Sequence, residues 1–379
     1  MSAFETVQSP VPPGMIDLGL GDPQLANLPL ELIREAAAHR LAGAERTFLQ
    51  YGTEQGGGRF RQALAQFLTN GTGSPVDPQR LFVTCGASFG LDLVCSLFTR
   101  PGDTIFVEEP SYFLALRIFA DHGLRLVSVP TDDDGLVIEA LEEMLGRERP
   151  KFLYIIPAFQ NPSGRTLRLE RRERLAELSR SGGLLVVADE VYHFLGYGAP
   201  PPPALGTFAE SANVLSLGSF SKILAPGLRL GWLQADAEKI RRFAGCGLLD
   251  SGGGLNPFTS AIVCTLVESG GLEQNIARLN GIYRQSARAM GTALKEHLPG
   301  AEFAAPQGGY FYWVRLPGAD TTALQEKAKA FQVNFRPGAR FSSRGGLQEY
   351  MRFSYVHYEP AEIEQGLIRL QRCLQKERP

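Results

Sequence analysis

The sequence predicts an α/β protein: a large, mostly parallel sheet covered by helices on both faces, completed by a smaller α+β domain. Two observations carry this. Short β-rich runs alternate with longer helical patterns through the middle of the chain, as parallel strands joined by helical crossovers do. Beyond about Gly270 the alternation stops, and a long amphipathic pattern gives way to short strands and a closing helix. At 379 residues there is room for a large core and two domains.

The elements follow in order. Residues 81–84 read as a strand, and 91–98 as an apolar helix after a Gly86-Ala87-Ser88 turn. Residues 104–107 read as the next strand, followed by a helical pattern over 112–120. Residues 126–129, 152–156, 184–188 and 214–217 are further buried-strand patterns, with a charged amphipathic helix over 169–179 between two of them. A long helix is expected from 272 towards 297, then strands near 310–315 and 351–354 and a helix over 362–375. Pro200 to Pro203 form a stiff loop. The expected division is a large domain of residues 46–270 and a small domain of 1–45 plus 271–379.

Composition excludes several classes. With 38 basic and 40 acidic residues the net charge is −2, which offers nothing to nucleic acid or an anionic membrane. The N-terminus lacks a basic region followed by an apolar core, and no apolar run approaches a membrane span. The five cysteines, at 85, 95, 246, 264 and 373, lack metal-ligand spacing and read as reduced thiols. A cytoplasmic protein without a metal site is expected.

Candidate chemistry centres on residues 218–232. Lys222 stands between Ser219 and Ser221, with Arg229 seven positions later, among glycine and apolar neighbours. A sheltered lysine near other cations loses its proton readily and can attack a carbonyl. Two hydroxyls and a guanidinium suit a bound phosphate. An amine beside a phosphate cradle is what pyridoxal 5'-phosphate (PLP) requires.

Other candidates fall at strand ends, where open α/β sheets bind ligands. Asp189 follows an apolar run and suits a protonated pyridine nitrogen, with Tyr192 three residues on; a helix cap and a core-edge tyrosine explain them equally well. Asn161, in Gln160-Asn161-Pro162-Ser163-Gly164, sits in a turn facing the strand-end cleft. Gly86, Ala87 and Ser88 have the composition of an anion-binding helix start. Tyr112 offers a ring to stack on a flat cofactor or to pack in the core. Arg352, in an apolar strand, needs an anion, either an internal carboxylate or a substrate.

Taken in order, these motifs resemble those of the fold-type I PLP-dependent aminotransferases of class I/II, nearest the 2-aminoadipate and kynurenine aminotransferase branch. Residues 16–23, 51–56, Pro306-Gln307-Gly308-Gly309 and the motifs above carry the resemblance across the whole chain. It implies that Lys222 forms the cofactor aldimine and moves the substrate proton. Asp189 then pairs with the ring nitrogen, Tyr192 and Asn161 bond the ring oxygen, and Tyr112 stacks on the ring. Gly86, Ala87, Ser88, Ser219, Ser221 and Arg229 hold the phosphate, joined by Tyr51 of the partner subunit in a homodimer with shared sites. Arg352 clamps the substrate carboxylate, assisted by Asn161 and Gly21.

The implied reaction is ping-pong transfer of an amino group from an amino acid to a 2-oxo acid, with a β- or γ-lyase or synthase as the alternative outcome on the same scaffold. Ser88 stands where glutamine is common in that branch, which shifts the phosphate contacts towards backbone. The absence of any arginine before Arg34, with Leu20, Leu25 and Leu28 nearby, suggests an apolar or aromatic donor. The glycine-rich residues 251–254 read either as a gate or as a close-packed loop.

Overall fold

A computed structural model describes residues 10–376. Eight strands form the large sheet in the order Leu81–Thr84, Gly231–Gln234, Val214–Ser219, Val186–Asp189, Leu153–Ile155, Thr104–Glu109, Arg125–Asp132 and Gly135–Leu136. The five strands running from Val214–Ser219 to Arg125–Asp132 in that order are mutually parallel. Gly231–Gln234 runs antiparallel to both of its neighbours, and Gly135–Leu136 pairs antiparallel at the other edge.

The strands lie where the sequence places them, with small differences at their ends. The strand expected over 104–107 runs on to Glu109, and the helix expected from 91 begins at Ala87. Ala87 and Ser88 therefore belong to the first helical turn rather than to a preceding turn. Gly86, at φ +91°, makes the break alone, a conformation only glycine adopts freely. The Gly231–Gln234 strand escapes the sequence reading because its four residues merge with the lysine motif before it.

Alternate residues of the central strands feed two cores. Phe106, Leu153, Ile155, Val186 and Ala188 pack on one face under the Ile138–Arg147 and Leu169–Gly182 helices. Ile105, Val107, Tyr154 and Val187 pack on the other, in the larger core that also takes residues of the small sheet and the 27-residue Gly271–His297 helix. This period of two decides which strand-end side chains meet.

Beyond the large sheet, Glu302–Phe303, Phe311–Arg315, Tyr350–Ser354 and Arg336–Pro337 form an antiparallel sheet. Ile16–Asp17 pairs parallel with Val333–Asn334, and the chain then crosses the interior. The Leu18 carbonyl accepts from the Ser354 N–H at 2.6 Å, and the Gly21 carbonyl from Lys222 Nζ at 3.0 Å. The N-terminal segment is thereby tied to both sheets. Among the described residues no helix is long and apolar enough to cross a membrane.

The Leu169–Gly182 helix is less purely a solvated face than its charges suggest. Arg172 is fully buried, and its guanidinium donates to the carbonyls of Leu167 at 2.9 Å, Pro157 at 2.6 Å and Pro203 at 2.9 Å. One side chain thus ties the helix start, the loop after the Leu153–Ile155 strand and the proline loop together. Arg172→Leu removes all three bonds, and stability should fall by roughly 3 kcal/mol at about 1 kcal/mol per lost bond. Chemical denaturation measures this; a loss below about 1 kcal/mol would contradict the role.

Candidate active site

Asp189 ends its strand two residues beyond Val187, which puts it on the face shared by Tyr154 of the neighbouring strand. The Tyr154 hydroxyl donates to Asp189 Oδ2 at 2.8 Å, while Oδ1 is buried without a hydrogen-bond partner. Burial pushes the Asp189 carboxyl up to about 6, against the Tyr154 hydrogen bond. A buried carboxylate oxygen left open in this way suits a cationic or N–H donor.

Lys222 follows the end of the Val214–Ser219 strand. Its Nζ donates to the Gly21 carbonyl at 3.0 Å and lies 5.1 Å from the centre of the Tyr310 ring. The Tyr310 hydroxyl donates back to the Lys222 carbonyl at 3.1 Å, fixing the backbone beneath the amine. Loss of hydration lowers the Lys222 ammonium to about 8, with Asp22 opposing and Arg352 assisting. This is the sheltered, poised amine that the sequence motif predicts.

Beside it lies an anion cradle. The first turn of the Ala87–Phe98 helix presents unpaired N–H groups, with Ser88 exposed there. The Arg229 guanidinium donates to the Cys85 carbonyl at 3.3 Å, and a Cβ on Gly86 would fall 2.9 Å from its Nη2. Ser219 Oγ accepts from the Ser221 N–H at 3.1 Å, which orders the hydroxyl loop. Arg229 itself holds a left-handed conformation at φ +45°. Asn256 pins that backbone, donating to the carbonyls of Leu228 at 3.2 Å and Arg229 at 2.5 Å.

The glycine-rich residues before Asn256 pack closely: a Cβ on Gly254 would fall 2.0 Å from the Thr53 carbonyl, and one on Gly253 2.7 Å from that of Tyr51. Such contact answers the choice between gate and packing in favour of packing.

Arg352 is 2% exposed, in the Tyr350–Ser354 strand. Its Nη1 donates to Asn161 Oδ1 at 2.8 Å and its Nη2 to the Gly19 carbonyl at 2.7 Å, and Phe311 lies 3.9 Å beneath it. Nε has no partner, and among the described residues no carboxylate pairs with the guanidinium. Burial lowers it to about 10. Of the two partners the sequence allows, an internal carboxylate is absent, so the charge is held by neutral groups.

One cavity gathers Lys222, Arg352, Asn161, Tyr112, Tyr192 and Gly21. Leu20 lines it as well, whereas Leu25 is 80% exposed and Leu28 lies outside the lining, so one leucine of the expected three reaches the site. Tyr51 is 75% exposed, and among the described residues its side chain makes no hydrogen bond. Its own chain does not bring it into this cavity.

Sequence reasoning missed Tyr154, Tyr310 and Asn256, and also Arg336, which lines the cavity. Tyr154 was findable, because strand parity puts it beside Asp189. The others depend on long-range packing that no local pattern reports.

Residues 13–370 match the model of the family described as aminotransferase class I and II. The chain is 34% identical over 372 residues to aromatic-amino-acid aminotransferase 1 of Thermococcus litoralis, covering 96% of this chain and 88% of that protein. It is 35% identical over 370 residues to 2-aminoadipate transaminase of Thermus thermophilus, covering 96% and 90%. The structure of Pyrococcus horikoshii kynurenine aminotransferase, in complex with PMP and kynurenine, superposes with a TM-score of 0.90 at 32% identity, covering 97% and 92%. The chain belongs to the class I and II aminotransferases and is a PLP-dependent aminotransferase.

The residues present fit that cofactor: the open Asp189 Oδ1, the Gly86–Arg229 cradle and the poised Lys222 amine are separate requirements, met side by side. In protein freed of cofactor, acylation of Lys222 should rise through about pH 8, well below the range of exposed lysines, because only the neutral amine reacts. Peptide mapping after timed labelling reads this. Reactivity appearing only alongside the surface lysines would contradict the sheltered environment.

Proposed function

We propose that Lys222, Asp189, Arg352 and their neighbours carry the amino-group transfer as follows. The observation that carries the assignment is one cavity holding both a sheltered amine and a buried guanidinium without a carboxylate partner. Arg352 receives the α-carboxylate of the amino acid, exchanging the Gly19 carbonyl for it, while Asn161 and the Gly21 backbone steady the other side. Asp189 accepts the ring N–H of PLP at Oδ1, held in place by Tyr154 at Oδ2. Tyr192 and Asn161 bond the ring oxygen, and Tyr112 covers the ring face. Gly86, Ala87, Ser88, Ser219, Ser221 and Arg229 take the phosphate.

Bound there, PLP supplies an electron sink for the charge freed at the substrate α-carbon. Lys222 Nζ is the covalent anchor and then the base, accepting the α-proton and returning it on the far side of the transfer. Its position beside the neutral Gly21 carbonyl leaves it free to move. A 2-oxo acid enters the same pocket and reverses the sequence, giving ping-pong kinetics. Leu20, Phe113, Leu114 and Phe311 line the cavity and suit an apolar or aromatic amino donor. The relatives named for aromatic amino acids and kynurenine support that reading.

The test combines a donor panel with two variants. Wild-type protein with PLP should convert an amino acid and a 2-oxo acid into the exchanged pair, and Lys222→Ala should abolish this while still binding PLP noncovalently. Arg352→Ala should raise KM for every amino acid by about tenfold or more, the size of a lost charge-assisted bond. No transfer with any donor would sink the reading, and an unchanged KM would remove Arg352 from the clamp.

The working unit is a homodimer, in our reading, with the large and small domains divided at 46–270 and 1–45 plus 271–379. Leu25, Leu30, Leu49, Tyr51, Leu248 and Phe258 are each at least 45% exposed, an apolar surface that suits a second copy. None of the five cysteines is in a disulfide, which suits a reducing, cytoplasmic setting. Tyr51 of the partner subunit completes the phosphate cradle. Mixing the Lys222→Ala and Tyr51→Ala proteins then gives a mixed dimer with one intact site, and activity at limiting PLP should exceed that of either parent. If Tyr51 works within its own chain, mixing restores nothing.

A further inference from the structure

Two neighbouring parallel strands, Thr104–Glu109 and Leu153–Ile155, each end in a loop that sends one residue into the cavity. The first loop delivers Tyr112 and the second Asn161. Strand pairing stops short of both residues, so something else must set the distance between them. Gln160 is placed to do so. It is 3% exposed and does not line the cavity itself.

The polar atoms of Gln160 face two ways. Its backbone N–H donates to the Arg165 carbonyl at 2.9 Å, and its carbonyl accepts from the Gly164 N–H at 2.7 Å. Its side-chain Oε1 accepts from the Ser163 N–H at 2.8 Å. These three bonds close the turn that carries Asn161. Nε2 instead reaches the other loop, donating to the Pro110 carbonyl at 2.7 Å and to Glu108 Oε2 at 3.3 Å. An amide that served only its own turn would have no use for partners 50 and 52 residues away.

Glu108 anchors the far end. It is 2% exposed, and its Oε2 also accepts from the N–H of Ile156, the first residue past its strand, at 2.8 Å. A side-chain carboxyl thus stands in where the ladder of strand carbonyls stops. Burial pushes this carboxyl up to about 8, so near neutrality the anchor is uncharged. On the cavity side, Asn161 Oδ1 accepts from Arg352 Nη1 at 2.8 Å. The chain of contacts therefore runs from Glu108 through Gln160 and Asn161 to the guanidinium.

We propose that Gln160 is a positioning residue: anchored on Glu108, its side-chain amide sets Asn161 against Tyr112 and, through Asn161, aims Arg352 at the substrate carboxylate. This rests on the aminotransferase reading above, in which Asn161, Tyr112 and Arg352 meet substrate and cofactor. Gln160 touches neither. A shift of about 1 Å in groups so placed is enough to cost about a hundredfold in rate.

The test is Gln160→Met, which keeps the length of the side chain and removes its amide. In the PLP-loaded enzyme kcat/KM should fall about tenfold or more for every donor, and calorimetric affinity for 3-phenylpropanoate, an unreactive acid, about fivefold or more. Glu108→Met should share both losses, and the conservative Glu108→Gln, which keeps an uncharged acceptor, should restore them. Lys222 hangs on Gly21 and Tyr310, outside this network, so its acylation should still rise through about pH 8 in Gln160→Met protein freed of cofactor. Wild-type values in Gln160→Met would show that the turn places Asn161 unaided. A displaced Lys222 profile would show general loosening of the fold, and no recovery in Glu108→Gln would show that Glu108 acts otherwise than as an acceptor; each overturns the proposal. Hydrogen exchange of the Ser163 amide separates this from the reaction. It should quicken several-fold in Glu108→Met, whose substitution does not touch that amide, whether or not any amino acid turns over. An unchanged rate there would overturn the brace, whereas absent turnover by the wild type would sink the reaction reading alone.

Discussion

Three ionisable side chains, Asp189, Lys222 and Arg352, are kept out of water without being allowed to neutralise one another, and the rest of the molecule is arranged around that constraint. None of the three forms an ion pair among the described residues. Each is instead held by a neutral group: a tyrosine hydroxyl, a backbone carbonyl, and an amide with a second carbonyl. A direct pair would satisfy the charges and remove them from use. Neutral partners steady each group while leaving its charge, or its lone pair, available to a ligand. The expense of burying them is borne by the cores on the two sheet faces, which is why the site sits where both sheets converge.

The fold was legible because its rules are local. Fully buried parallel strands have to be continuous apolar runs, and those runs appear between amphipathic segments as the sheet requires. Strand ends were less certain, since Glu108 and Glu109 look like a loop but are the buried last residues of their strand. There Glu108 accepts from the Ile156 N–H at 2.8 Å and from Gln160, and burial pushes its carboxyl up to about 8. A charged residue at a strand end carries no local mark that tells capture by a distant amide from exposure to water.

The candidate site was legible to the extent that its chemistry is concentrated in short segments. Lys222 with its flanking serines, Asp189 after an apolar run and Arg352 within one are anomalies that a sequence displays directly. Tyr310, beneath Lys222, looks like any aromatic core residue, and only the meeting of the two sheets gives it a role. Arg336 was hidden for a related reason. The N-terminal segment carries no arginine before Arg34, yet it pairs with Val333–Asn334, and the chain following that pairing brings Arg336 to the wall of the same cavity.

The crossing segment itself explains why glycine recurs in it. Gly19 lies so close to the Arg336–Pro337 strand that a Cβ would fall 2.8 Å from Arg336 Cγ and 2.9 Å from the Phe335 carbonyl carbon. Its neighbour Gly21 has only Phe311 nearby, at 3.7 Å, so steric need ends there while the carbonyl remains in use. Backbone carbonyls at 19 and 21 thus accept hydrogen bonds from Arg352 and Lys222 respectively. Both are weaker acceptors for a cation than a carboxylate is, because a carboxylate adds a full opposite charge and can pair bidentately with a guanidinium. In the function proposed above, a substrate carboxylate takes the place of the Gly19 carbonyl on Arg352 without having to break an ion pair. Held by neutral carbonyls rather than by carboxylates, both buried cations stay hydrogen-bonded while their charge remains available to a stronger acceptor.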